Sequence, residues 1–315
     1  LACRDPSRRC RIATPSKRWR RRSCIAEIDW LVRRHRQSCG TIAIVSQLHC
    51  DLKATAMRLR RLLSILLIVA GSPVAADPAL DALVAAYPDF LVGHDDSSIT
   101  WKDGTVMPVG DNTPRPFDDM VNDASIRDQF ALAYPLGVKL KAPAVNEDPG
   151  RIRNEAFFRK MYGDCRNGEV KDRLKAVPWL SHDGGGTLMA TSINGVADKL
   201  AAAARDLEAL PRALKKYLVP SAGIYSCRPI AQTDRTSMHG YAAAIDINVH
   251  YSDYWLWTQQ KTGQFPWINR IPPQIVEVFE RHGFIWGGKW YHFDTMHFEY
   301  RPELINLAAK GWPRQ

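Results

Sequence analysis

Residues 237–248, SMHGYAAAIDIN, constrain the fold more than any other stretch of this chain. Ile245, Ile247 and Val249 are β-branched and alternate, the pattern of a strand rather than a helix. On a strand these three share one face and leave Ala244, Asp246 and Asn248 on the other. A carboxylate opposite three apolar side chains points away from the layer that they cover. His239 lies upstream beyond Gly240, where a loop can fold it back towards Asp246. A His and an Asp seven residues apart are a weak signal alone, since most such pairs are hydrogen-bonded structural groups.

Residues 286–300, WGGKWYHFDTMHFEY, form the companion stretch. A strand there sets His297 and Glu299 on one face, with Phe298 and Tyr300 on the other. Asp294, three residues before His297, reaches that face only if the chain bends over Thr295 and Met296. Two imidazoles and one carboxylate suit three-ligand zinc coordination, with a fourth position left for water. Metal-activated hydrolysis then needs a further carboxylate to carry a proton, and Asp294 is the candidate.

Together the two stretches resemble the D-alanyl-D-alanine carboxypeptidase family that includes VanY-like enzymes and phage endolysin peptidases, whose fold is shared with the hedgehog signalling domain. The family pattern is Ser-x-His-x-x-Gly-x-Ala-x-Asp, followed later by Glu or Asp-x-x-His. Ser237, His239, Ala244 and Asp246 fit its first part, and Asp294 and His297 its second. The resemblance is clear from about 221 to 300 and loose before that. It implies zinc held by His239, Asp246 and His297, with Asp294 as general base. Ala242 departs from it, standing where the family usually has glycine; a positive φ there strains a residue with a Cβ.

Other residues carry open alternatives. The family has an arginine on the strand matching Arg228, which implies a role on the substrate's carboxylate or carbonyl; a surface salt bridge is the other reading. Ser237 either touches substrate or bonds its own loop backbone. Trp290 and Trp286 are candidates for the cleft rim. Trp255, Trp257 and Trp267 either line a cleft or fill the core. His292 is expected behind a ligand or in a cleft wall, and Glu299 as a group that orients a ligand.

The chain as a whole has a formal charge of +10, which suggests a partner of opposite charge, such as nucleic acid. Of the 43 Lys and Arg, 16 fall in residues 1–76, with only four of the 33 Asp and Glu; the rest is slightly acidic, near −2. The basic character therefore says nothing about a site further on, and no nucleic-acid partner is expected. Residues 57–76 read as a signal peptide: Arg58, Arg60 and Arg61 precede an apolar run from Leu62 to Gly71, and Val74, Ala75 and Ala76 supply a cleavage site. The run is about half of the roughly 20 residues needed to cross a bilayer. Residues 1–56 hold five of the seven cysteines and no sustained apolar period, and are expected to reflect a start called too far upstream and not to be made. Only Cys165 and Cys227 remain, a natural disulfide pair in an oxidising compartment, with two free thiols as the alternative.

Residues 77–135 are expected as an N-terminal extension and 136–315 as the zinc peptidase domain. The pattern predicts helices over 78–86, 125–133, 154–162, 193–217 (interrupted at Pro211) and 272–282. It predicts a hairpin from Ser98 to Val109 turning at Asp103 and Gly104, a loop over 112–119, and strands over 223–228, 244–249 and 297–300. Helices around a small, mostly antiparallel sheet make an α+β fold, and the resemblance implies a hedgehog/DD-peptidase-like one. The expected protein is an exported zinc metallopeptidase, periplasmic or secreted, monomeric and not inserted in a membrane after signal cleavage. Its expected substrates are peptidoglycan stem peptides, cut by carboxypeptidase or endopeptidase action. The alternative is a zinc-containing binding module that has lost catalysis, which would have no need of Asp294.

Overall fold

A computed structural model describes residues 77–137 and 141–312; the expectations for 1–56 and 57–76 fall outside them. Helix α1 (Pro78–Ala86) starts where Asp77 accepts from the backbone N–H groups of Ala79 and Leu80, with proline in the first turn. Strands β1 (Leu91–His94), β2 (Ser98–Trp101) and β3 (Val106–Pro108) form an antiparallel meander. Its second turn falls at Asp103 and Gly104 as expected, Gly104 having a φ of +83°.

Two expectations fail in the next segment. Helix α2 (Phe117–Asn122) occupies part of the predicted loop, its first turn favoured by Asp118 and Asp119. The helix expected over 125–133 is a single 3-10 turn, Arg127–Phe130. Ser125 and Asp128 cap each other there, Oδ2 of Asp128 accepting from the Ser125 N–H at 2.8 Å. Pro135 then disfavours helix in the residue before it.

Helix α3 (Glu155–Tyr162) is capped by Asn154 and buries Phe157, Phe158, Met161 and Tyr162 as one stripe. Strands β4 (Leu174–Pro178) and β5 (Thr187–Thr191) make a hairpin that the sequence reading missed. Helix α4 (Val196–Glu208) stops before Pro211, and a 3-10 turn follows at Arg212–Tyr217. A disulfide joins Cys165 to Cys227, tying the turn after α3 to the segment that carries Arg228.

The remaining elements build the site. They are β6 (Ala244–Asp246), α5 (Trp255–Thr262), α6 (Pro273–Arg281), β7 (Phe284–Trp286), β8 (His297–Tyr300) and α7 (Pro302–Ala309). The sheet order is β6-β8-β7, antiparallel throughout, with Ile245 opposite Phe298 and Asp246 opposite His297. Helix α6 packs behind it, where Phe279 stacks on Phe298 at 3.9 Å between centroids. Each fully buried side chain of this size contributes about 1.5–3 kcal/mol. With its back face so covered, β8 is left with His297 and Glu299 on the front.

The strand expected over 223–228 is only an isolated bridge from Gly223 to Asp246. The strand expected to reach Val249 ends at Asp246, because Asn248 caps a 3-10 turn at Val249–Tyr251. Val249 is consequently exposed, and the apolar face of the strand is Ile245 and Ile247 alone. The segment 77–135 shares its interior with the rest: one core runs from Leu80 to Leu307. Tyr87 donates to Glu303 at 2.6 Å and Tyr134 to Glu280 at 2.6 Å. Among the described residues no helix is long and apolar enough to cross a membrane.

Candidate metal centre and active-site cleft

Asp246 and His297 face each other across β6 and β8, and His239 joins them from a 3-10 turn, Met238–Tyr241. Ser237 starts that turn by accepting from the His239 N–H at 3.3 Å. Ala242 ends it with a left-handed φ of +52°, at the position where the family pattern has glycine. The strain foreseen there is present; the left-handed region costs a residue with a Cβ roughly 1–2 kcal/mol.

Three donor atoms meet at one point. Oδ1 of Asp246 lies 3.1 Å from Nε2 of His239 and 3.0 Å from Nδ1 of His297. The two imidazole nitrogens are 3.2 Å apart. The set could hold a metal ion. Its spacing approaches the roughly 3.3 Å edge of a tetrahedron with zinc bonds of about 2.0–2.1 Å.

The far nitrogen of each ring fixes its tautomer. Nδ1 of His239 donates to the Ile224 carbonyl at 2.6 Å, and Nε2 of His297 donates to Glu299 at 3.2 Å. Glu299 is held by Arg153 at 3.3 Å and Arg301 at 3.2 Å, and Arg301 also binds Glu303. All four of these charged groups are buried. Such a network tolerates no missing member, since an unpaired buried charge is costly.

The electrostatics follow from this packing. Burial works against a charge on His297, yet its hydrogen bonds to Asp246 and Glu299 push it up to about 10. Burial would likewise raise Asp246, but the neighbouring His239 and bonds from both imidazoles hold it far below the usual carboxylate range. Glu299 is desolvated too, and is still drawn down to about 2, chiefly by Arg153 and its bond to His297.

Asp294 behaves in the opposite way. Burial and the nearby Asp246 charge push it up to about 6, and its Oδ1 has no hydrogen-bond partner among the described residues. The bend expected over Thr295 and Met296 is a turn in which the His297 N–H donates to the Asp294 carbonyl at 3.2 Å. Gly287 lets this loop close: a Cβ there would stand 2.6 Å from the Asp294 carbonyl oxygen. A raised carboxyl and a metal-binding set on one cleft are the elements of water activation.

The cleft measures about 210 Å³, and its walls include Arg228, Ser237, Trp290 and Asp294 beside the three donors. Arg228 is exposed at the mouth, the only hydrogen bond of its guanidinium among the described residues being to the Pro229 carbonyl at 3.4 Å. Trp290 is buried, its ring centroid 5.7 Å from that of His297 and its Nε1 donating to the Pro149 carbonyl. Trp286, expected at the rim, is fully buried against Phe298 instead. Trp255 and Trp257 line the cleft, whereas Trp267 donates to the Gly288 carbonyl. Arg153, Arg301 and the Ile224 carbonyl were missed by the sequence reading: Arg153 reaches Glu299 from 146 residues away, and Arg301 and Ile224, though nearer in sequence, belong to no motif or period that marks them.

Residues 231–300 match the D-alanyl-D-alanine carboxypeptidase family. The resemblance read from the two motifs is thus shown over that segment, under a quarter of the chain, and it supports a peptidase. The family segment contains Ser237, the three donors, Trp290 and Asp294, while Arg228 lies just before it. No curated protein and no solved structure matches the chain.

Proposed function

We propose that this protein is an exported zinc metallopeptidase that hydrolyses peptide bonds in peptidoglycan stem peptides. The observation that carries the reading is the pairing, on one cleft, of the His239–Asp246–His297 donor set with a half-buried Asp294 whose Oδ1 has no hydrogen-bond partner among the described residues. Bound zinc supplies Lewis acidity and brings the pKa of a water towards neutrality. Asp294 accepts the proton of the attacking water and returns it to the leaving amine. Ile224 and Glu299 hold the other nitrogens of His239 and His297, which would leave a lone pair of each ring for the metal. Arg228 offers a guanidinium fork at the mouth for a substrate carboxylate, Ser237 keeps the His239 turn in place, and Trp290 forms the wall. The Cys165–Cys227 disulfide supports an oxidising compartment.

Digesting purified peptidoglycan with zinc-loaded protein, and weighing the fragments, tests this reading. Loss of terminal D-alanine or cleavage within the stem is the expected result. Zinc binding with no cleavage of any stem peptide would instead favour the catalytically silent binding module.

A further inference from the structure

His292 is held more firmly than a wall residue needs to be. Its Nδ1 lies 2.5 Å from Oδ2 of Asp148, and its backbone N–H donates to the other oxygen at 2.9 Å. Asp148 is completely buried, with Arg151 3.6 Å away as its only ion-pair partner among the described residues besides His292. Phe117 and Phe265 stack on the ring at 6.3 Å and 5.6 Å, and Trp255 meets it edge-on at 4.8 Å. Rotation about χ2 would break the Asp148 bond and these contacts together, so the ring has one orientation.

That orientation fixes the chemistry of the other nitrogen. A carboxylate at Nδ1 needs a proton on Nδ1, which leaves a lone pair on Nε2 of the neutral ring. Nε2 has no hydrogen-bond partner among the described residues, and the side chain keeps 20% of its surface open on the cleft. The other polar groups of the cleft are differently placed. Arg151 and Arg228 only donate, Asp246 is engaged with both imidazoles, and Asp294, whose Oδ1 is also unpartnered among the described residues, is the carboxylate that the proposed function assigns to the attacking water. A peptide presents both carbonyls and N–H groups: guanidinium groups serve the former, and an uncommitted acceptor is needed for the latter.

We propose that Nε2 of His292 accepts a hydrogen bond from a backbone N–H of the peptide in the cleft, with Asp148 as its positioning residue. This rests on the peptidase reading. Hydrolysis of a synthetic stem pentapeptide ending in D-alanyl-D-alanine should be compared for wild type, His292→Ala, His292→Gln and Asp148→Asn. Metal content should be read on each preparation. His292→Ala should raise KM roughly tenfold, the scale of one neutral hydrogen bond, with kcat little changed and metal retained. His292→Gln, whose amide oxygen can accept, should recover most of the loss. Asp148→Asn offers Nδ1 a donor, moves the ring proton to Nε2, and should behave as His292→Ala; ¹⁵N shifts of the ring report that move. Methylating one amide nitrogen of the peptide should raise the wild-type KM equally and have no further effect in His292→Ala. An unchanged KM in His292→Ala, or a fall in kcat alone, overturns the proposal. A wild type that cleaves no stem peptide removes only the hydrolytic reading. Calorimetry of the same peptide on the zinc-loaded proteins still decides the hydrogen bond, and equal affinity of wild type and His292→Ala, including no binding by either, overturns it.

Discussion

Nε2 of His239 and Nδ1 of His297 stand 3.2 Å apart, both turned towards the Asp246 carboxylate. Each ring has already given its other N–H away, so two lone pairs would meet at this point. A proton on His297 relieves the conflict, and so does a cation. The two therefore compete for the same space.

That competition gives a pH dependence in protein stripped by a chelator. His297 is raised to about 10 in the fold, against an ordinary value near 6.5. Its stabilising contribution is thus complete below about pH 6.5 and lost as pH rises through 10, on the order of a few kcal/mol. Glu299, lowered to about 2, acts in the other sense: its contribution is present above about 4.5 and lost as pH falls towards 2. Thermal melts of stripped protein should fall between pH 7 and 10, and zinc should abolish that alkaline fall. A flat alkaline profile would show that His297 carries no extra proton.

Removing a ligand and removing the base should have different effects. His239→Ala or His297→Ala should lose zinc, since two protein ligands remain where a catalytic site uses three. Asp294→Ala should keep about one zinc per chain while hydrolysis drops by at least on the order of 10²-fold. Atomic absorption and peptidoglycan turnover on the same samples check both. Full activity in Asp294→Ala would remove it from the mechanism.

Glu299→Gln tests the support behind His297. The amide still accepts from the imidazole, but Arg153 and Arg301 lose the anion that they share. Breaking a buried pair in this way costs about 3–5 kcal/mol, and zinc affinity should fall roughly 10–100-fold. Denaturant unfolding and competition with a metal indicator measure the two effects. Wild-type values for both would mean that Glu299 is a spectator.

Reducing the Cys165–Cys227 bond, or replacing both cysteines by serine, opens a loop with a sequence separation of 62. The entropy returned to the unfolded chain corresponds to about 4 kcal/mol. Urea unfolding with and without reductant should show that difference. Two reactive thiols in the unreduced, denatured protein would refute the pairing.

The ligand-bearing elements were legible because they are short-range patterns. The alternation at His297–Tyr300 placed β8 to the residue, and Asp246 fell on the face that its isoleucine neighbours required. Even the bend before His297 followed from the need to turn Asp294 inwards. Glu299 behind His297 was legible from the face that they share, but what holds Glu299 was not. Arg153 lies 146 residues from Glu299, and no local period announces that they meet. The β4–β5 hairpin was missed for a milder reason: its strands are half exposed and lack a clean alternation. Capping by side chains decided the rest. Asn248 ended β6 early, and Ser125 with Asp128 closed a turn where a helix was expected.

The pairing of Asp246 with His297 in one register has a consequence for the making of this protein. Strand side chains alternate, so a slip of a single residue between β6 and β8 would turn one of the two donors to the opposite face. The slipped strand would also turn its apolar side chains, Ile245 or Phe298, out of the core, and the chain would offer an ion only two donors. Metal affinity is therefore a measure of strand alignment. An ion that needs all three donors would be a proofreader, held only by those molecules in which the two halves of the site were threaded correctly.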